Sequence, residues 1–191
     1  MLLFSGMVIP SQQRRKKRKG DEISSMAPPL KIIFLDIDGV ILPFPRNNNN
    51  RPDGKSNRLF PEDNINALKR LLNLTGAQLV LSSSWRSQSS FVKDILSDFK
   101  KHDMGIDRFY DMTDIHHHSE RQWEIHRWLE KKRKGRRVYW LAVDDEHLIE
   151  GKKNEKFRSI FQGHTIRTIS SVGLVEKDVD DGILLWKAQS F

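Results

Sequence analysis

The chain contains no cysteine. This excludes disulfides, thiol catalysis and thiolate metal sites, and it fits a reducing compartment. Long apolar runs are also missing. Met1 to Pro10 is apolar but too short to span a bilayer, and no basic residues precede it as they would in a secretory signal. A soluble, intracellular protein is expected. With 191 residues, 37% of them hydrophobic, the chain can bury one substantial core but leaves no room for a second domain of ordinary size.

Charge is unevenly distributed. Lys and Arg number 33 against 25 Asp and Glu, for a net charge of +8. Half of that excess sits in Arg14-Arg15-Lys16-Lys17-Arg18-Lys19, opposed only by Asp21 and Glu22. The run has the composition of a nuclear localisation signal or a nucleic-acid arm, and its plainer reading is a solvated tail. Initiation at Met26 would remove it. Residues 1–29 are therefore expected to form a disordered basic tail and 30–191 the folded domain. The remainder is only mildly basic, which suits a phosphorylated substrate without implying a nucleic-acid coat protein.

The run Leu30-Lys31-Ile32-Ile33-Phe34-Leu35 is short, apolar and β-branched, as expected of a buried parallel strand, and it stops abruptly at Asp36-Ile37-Asp38-Gly39. Pro43 to Pro61 is rich in proline and asparagine and reads as an exposed loop, too poor in apolar residues for a large cap domain. Ile65, Leu68, Leu71 and Leu72 then recur at helical spacing until Gly76. A second strand, Ala77 to Leu81, runs into Ser82-Ser83-Ser84-Trp85-Arg86, and Phe91, Ile95, Leu96 and Phe99 mark the next helix.

Beyond a less regular segment through Tyr110, the residues Trp123, Ile125, Trp128 and Leu129 predict a helix that ends in the basic run Lys131 to Arg137. Cations there complement the helix dipole, which is preferred to an RNA-binding role. Val138 to Val143 predicts a third strand ending in Asp144-Asp145, His164 to Ile169 a fourth, and Val175 to Trp186 a closing helix. Strands alternating with helices predict a doubly wound, Rossmann-like parallel sheet with helices on both faces.

Ligands of such sheets bind beyond the carboxyl ends of the strands. Three strands here end in Asp36 and Asp38, in the serine cluster, and in Asp144 and Asp145. Each signal alone is weak, because Asp-x-Asp-Gly also occurs in turns and calcium loops, and an acidic pair after a strand is often a helix cap. Together they place several carboxylates in one region, which calls for a hard cation, and an all-oxygen donor set favours Mg²⁺ over zinc.

This ordered set resembles the haloacid dehalogenase (HAD) superfamily of phosphatases. The first motif is Asp36-Ile37-Asp38-Gly39-Val40, followed by the serines at 82–84, a basic residue ahead of a helix, and Asp144-Asp145. The resemblance covers about residues 30 to 186. The combination with Ser83-Ser84-Trp85-Arg86 and with Arg121-x-x-Glu124-Ile125 looks most like the small HAD domains associated with RNA repair.

The resemblance implies that Asp36 is the nucleophile of an aspartyl-phosphate mechanism and Asp38 the general acid and base. It implies Mg²⁺ held by the Asp36 carboxylate, the Asp38 backbone carbonyl and Asp144, with Asp145 a further ligand through water or a support. Ser83, with Ser84 second, would donate to a phosphoryl oxygen. Arg86 would pair with phosphate or cap a surface, and Arg121 would steady the nucleophile and the phosphoryl charge. The expected substrate is a phosphorylated molecule, with an RNA or DNA end or a nucleotide among the candidates and a small metabolite or phosphoprotein as competitor.

Other features carry less. Consecutive residues do not share a face, so His116-His117-His118 reads as a solvated loop rather than a metal site. Trp123, Trp128, Trp140 and Trp186 read as core, whereas Trp85, directly after the serines, would either pack or wall the pocket. A non-catalytic HAD-like domain that binds nucleic acid through its tail is the alternative class, but such a module has no need of Asp38. A phosphoacceptor receiver domain would carry its acidic pair on the first strand, the reverse of the order here.

Overall fold

Side chains of a strand alternate between its two faces, and the first apolar run uses both. In the computed structural model, which describes residues 28–44, 58–115, 120–133, 136–150 and 152–189, Leu30–Leu35 form strand β1. Leu30, Ile32 and Phe34 point into one hydrophobic cluster, and Ile33 and Leu35 into another. A strand buried on both faces belongs in the middle of a sheet, and β1 is central.

It pairs in parallel with β2 (Gln78–Leu81) on one side and with β4 (Val138–Asp144) on the other. Strand β3 (Asp111–Met112) adds outside β2 and β5 (Thr165–Arg167) outside β4, giving the order β3-β2-β1-β4-β5, parallel throughout. This is the doubly wound arrangement expected from the alternation of strands and helices.

Helices α1 (Glu62–Thr75), α2 (Ser89–Lys101) and α5 (Glu176–Ala188) cover one face through Ile65, Leu68, Ile95, Phe99, Val179 and Trp186. Helices α3 (Arg121–Lys132) and α4 (Arg158–Phe161) cover the other through Ile125, Trp128, Leu129 and Phe161. Trp128 and Trp140 meet Phe34 edge to face at 5.1 and 5.8 Å, which accounts for two of the tryptophans expected in the core. Trp186 is buried as well, and Trp123 packs at the margin beneath the Arg127 guanidinium.

Helix α1 ends where expected, at Gly76, whose left-handed φ of 62° lets its N–H reach Leu72 O at 2.8 Å. Two elements carried no readable signal. Strand β3 is two residues long, too short for any periodicity, and exists because β2 offers it a free edge. The turn Lys152–Phe157 leading into α4 is anchored by Phe157 and Phe161, a pair too sparse to define a helical stripe. No helix among the described residues is long and apolar enough to cross a membrane.

Four cations of the run Lys131 to Arg137 fasten neighbouring segments. Lys131 pairs with Asp114, Lys132 with Asp111 at 2.9 Å, Arg136 donates to Pro28 O at 2.9 Å, and Arg137 to Gln189 O at 3.1 Å. The basic run Arg14 to Lys19 and the histidines 116–118 lie outside the described residues.

Chain entry into α1 is held by Asp98 of α2, which is 1% exposed. Its two oxygens accept from Leu59 N at 2.8 Å and Phe60 N at 2.9 Å, while His102 Nε2 donates to Phe60 O at 3.2 Å. Both backbone donors lose their acceptor in Asp98→Ala. That substitution is expected to lower stability by about 2 kcal/mol in urea unfolding, with Asp98→Asn falling between it and wild type. A change within about 0.5 kcal/mol would show that the clamp is dispensable.

Candidate active site

Strand parity delivers the acids. Asp36 follows Leu30, Ile32 and Phe34 on the α3 side of β1, and Asp144 follows Trp140 and Ala142 on the same side of β4. The last β1–β4 pair is Leu35 with Val143, and Asp36 N donates to Val143 O at 3.1 Å. The two carboxylates therefore emerge side by side, and both are buried, 5% and 1% exposed.

Arg121, the first residue of α3, lies over both. Its Nη2 is 3.4 Å from Asp36 Oδ1 and its Nε 3.4 Å from Asp144 Oδ2. A cation in the first turn of a helix opposes the helix dipole, so the acids rather than helix preference account for its position. Burial works against the Arg121 charge, but Asp144, Asp36 and Glu124 together outweigh it and raise its pKa. Burial pushes the Asp144 carboxyl up to about 8; Arg121 pulls against that shift, and Asp36 adds to it.

Asp145 joins this pair. Ligand atoms of Asp36, Asp144 and Asp145 all lie within 4.8 Å of one another. Asp144 Oδ2 is buried without a hydrogen bond. An unsatisfied carboxylate oxygen beside two further carboxylates fits a hard divalent cation, which would satisfy it and offset the mutual repulsion. Arg121 Nη1 is likewise buried without a hydrogen-bond acceptor, a donor suited to an incoming anion. The Asp38 carboxylate is not part of this three-acid group.

The loop after Asp36 is folded tightly. Gly39 has a φ of +71°, and a Cβ there would collide with the Asp145 carboxylate, so glycine is required on both counts. Thr168 Oγ1 donates to Gly39 O at 2.7 Å and Ser170 Oγ to Asp145 Oδ2 at 2.6 Å, tying the end of β5 to this loop. Asp38 is fixed from the opposite side, where Trp85 Nε1 donates to its Oδ2 at 2.8 Å.

After β2 the chain enters a short 3₁₀ turn, Ser84–Ser87. Ser82 N donates to Leu35 O at 3.0 Å, which sets the start of the serine run beside Asp36. Ser83 is fully buried at the mouth of the turn, where its hydroxyl accepts from Trp85 N at 3.4 Å, and Ser84 is exposed.

Arg86, expected either to pair with phosphate or to cap a surface, instead has its side chain buried and bonded to its own protein. Nε donates to Thr113 O at 3.0 Å, Nη1 to the carbonyls of Ser82 and Ser83, and Nη2 to Asp114 O at 3.2 Å and to Glu124 Oε2 at 2.6 Å. A guanidinium has five N–H donors, and these contacts use all of them. Arg86 is a clamp that shapes the serine turn. Burial lowers its pKa, with the Glu124 carboxylate opposing the shift.

The structure thus gathers Asp36, Asp38, Arg121, Asp144, Asp145 and the serine turn at the carboxyl edge of the sheet and assigns Arg86 to support. Glu124, Thr168 and Ser170 were not anticipated as parts of the site. Glu124 stands in a quoted motif, but only its contact with Arg86 reveals its role. Thr168 and Ser170 lie just past β5 and carry no signal of a site in the sequence.

An open parallel sheet of this order, with acids clustered at its carboxyl edge, defines a Rossmann-like α/β domain. Residues 32–179 match the family described as the HAD domain in Swiss Army Knife RNA repair proteins, and the chain belongs to that family. Membership gives a phosphohydrolase type of function in general terms and links the domain to RNA repair. No curated relative and no solved structure matched.

The Arg86–Glu124 pair is 4% exposed on each side. Removing one partner of such a pair strands a buried charge, so Arg86→Met is expected to cost about 3–5 kcal/mol in denaturant unfolding. Combining it with Glu124→Leu should restore the part due to the stranded carboxylate, but not the part due to the abandoned carbonyls. Equal stabilities of the single and double variants would mean that the charge pair is unimportant.

Proposed function

We propose that this domain hydrolyses phosphate monoesters through an aspartyl-phosphate formed on Asp36, with a nucleic-acid end or nucleotide as the phosphorylated substrate. The observation that carries the reading is the buried Asp36 carboxylate beneath Arg121, with Asp38 two residues on and outside the carboxylate cluster. A nucleophile needs a defined position near positive charge, whereas a proton donor must stand apart from the groups that bind the cation.

Arg121 holds Asp36 Oδ1, which leaves the carboxylate oriented for in-line attack on phosphorus. The Oδ–P bond forms as the ester P–O bond breaks, and the leaving oxygen takes a proton from the Asp38 carboxyl. Asp38, now a base, then accepts a proton from the water that hydrolyses the aspartyl phosphate. Arg121 Nη1, Ser83 and Ser84 are the donors for the phosphoryl oxygens. Mg²⁺, held by Asp36, Asp144, Asp145 and the Asp38 backbone, would supply charge neutralisation between the attacking carboxylate and the phosphate. Family membership supports a substrate from RNA repair.

Phosphate release should be measured with and without Mg²⁺ from an aryl phosphate, nucleotides, and oligonucleotides phosphorylated at either end. Metal-dependent release is expected, reduced about a thousandfold or more in Asp36→Asn and about 10²–10⁴-fold in Asp38→Asn. Metal-independent release, or full activity in Asp36→Asn, would sink the mechanism, and no release from any substrate would favour a binding module.

Cation binding has its own pH signature. The Asp144 carboxyl holds its proton more tightly folded than unfolded, so this contribution to stability is complete below the ordinary value of 3.8 and is lost as pH rises through about 8. Mg²⁺ competes with that proton, so the increase in Tm on adding Mg²⁺ should grow between pH 5 and pH 8 and be largely absent in Asp144→Asn. A pH-independent increase in Tm would place the cation elsewhere.

A further inference from the structure

The indole of Trp85 donates to the Asp38 carboxylate, 2.8 Å from Nε1 to Oδ2, and it arrives from a part of the chain 47 residues away. Its own position is constrained from several sides. The indole packs against the main core and lies 5.2 Å from the Phe91 ring at 48°. Its backbone N–H donates to Ser83 Oγ, and the next residue, Arg86, is locked by Glu124 and four carbonyls. An indole N–H only donates, so it orients a carboxyl group without competing as an acid or base at neutral pH.

We infer that Trp85 is a positioning residue that holds Asp38 where it can hand its proton to the leaving oxygen. This rests on the phosphohydrolase reading above. In that step the Asp36 Oδ–P bond forms, the ester P–O bond breaks with its electron pair passing to the leaving oxygen, and the Asp38 proton moves to that oxygen. Demand for the proton depends on the leaving group: an aryl oxide is stable enough to depart without it, whereas an alkoxide is not. Loss of the indole donor therefore penalises alkyl esters more than aryl esters, while general damage to the fold penalises both alike.

The test compares kcat/KM for p-nitrophenyl phosphate and for glycerol phosphate, using the full chain with Mg²⁺. That parameter covers the steps through P–O cleavage and is blind to the later hydrolysis common to both substrates. Trp85→Phe keeps a ring against Phe91 and removes the N–H. It is expected to lower the alkyl-to-aryl ratio of kcat/KM about tenfold. In an Asp38→Asn background the same substitution should leave the ratio unchanged, because the acid through which the indole acts is gone.

An unchanged ratio in Trp85→Phe overturns the inference, as does a further drop in the Asp38→Asn background. Wild-type protein that releases no phosphate from any ester fails at the earlier step and overturns the phosphohydrolase reading along with it. Should Trp85→Phe not fold, the indole N–H of Trp85 serves as a spectroscopic reporter. Its nitrogen-15-edited proton resonance is expected to shift in Asp38→Ala, and an unmoved resonance overturns the contact on which the inference stands.

Discussion

Two carboxylates at the ends of adjacent parallel strands, on the same face and shielded from water, repel each other strongly unless positive charge lies between them. Asp36 and Asp144 stand in that relation, and the rest of the site answers it. Arg121 is drawn into the first turn of α3 against the helix dipole, and Asp145 is brought close enough for the three acids to hold a cation. Asp144 Oδ2 has no hydrogen bond and only the 3.4 Å approach of Arg121 Nε, and burial raises the pKa of its carboxyl. An enzyme that must bring an anionic nucleophile to an anionic phosphate benefits from this arrangement, because the positive charge that the acids demand is the charge the reaction needs.

Around that centre the fold supplies rigidity from both sides. Gly39 lets the first loop pass close over Asp145, and Thr168 and Ser170 tie the end of β5 to it. On the other flank, Arg86 and Glu124 join the serine turn to α3, linking the segment that bears Trp85 to the helix that bears Arg121. The side chains at the carboxyl edge are thus supported by neighbouring residues, Arg86 with all five of its donors used, which is the usual requirement for holding groups in a defined position.

Much of the fold was legible in the residues. The six-residue run of β1, the Gly76 stop of α1 and the apolar stripe of α3 are local signals, and the sheet follows from their alternation. Strand β3 and the turn before α4 were not legible, since two residues show no period and two aromatics define no stripe. For the site, Asp36, Asp38, Asp144 and Asp145 could be picked out because they follow predicted strands, whereas Arg121 was pointed to by the family resemblance alone. The role of Arg86 stayed open for the reason that makes arginine versatile: the same five donors serve a phosphate or a set of backbone carbonyls equally well.

The sequence by itself determined which acids would lie at the carboxyl edge, because a parallel strand ends where its apolar alternation gives way to polar residues, and that boundary is written locally. Only the tertiary structure decided what the side chains from the neighbouring turns do there. The indole of Trp85 meets Asp38 across 47 positions, and Arg86 meets Thr113 across 27. Contacts over such separations depend on how β2 and α3 are laid against β1, and no local pattern of residues encodes that distance.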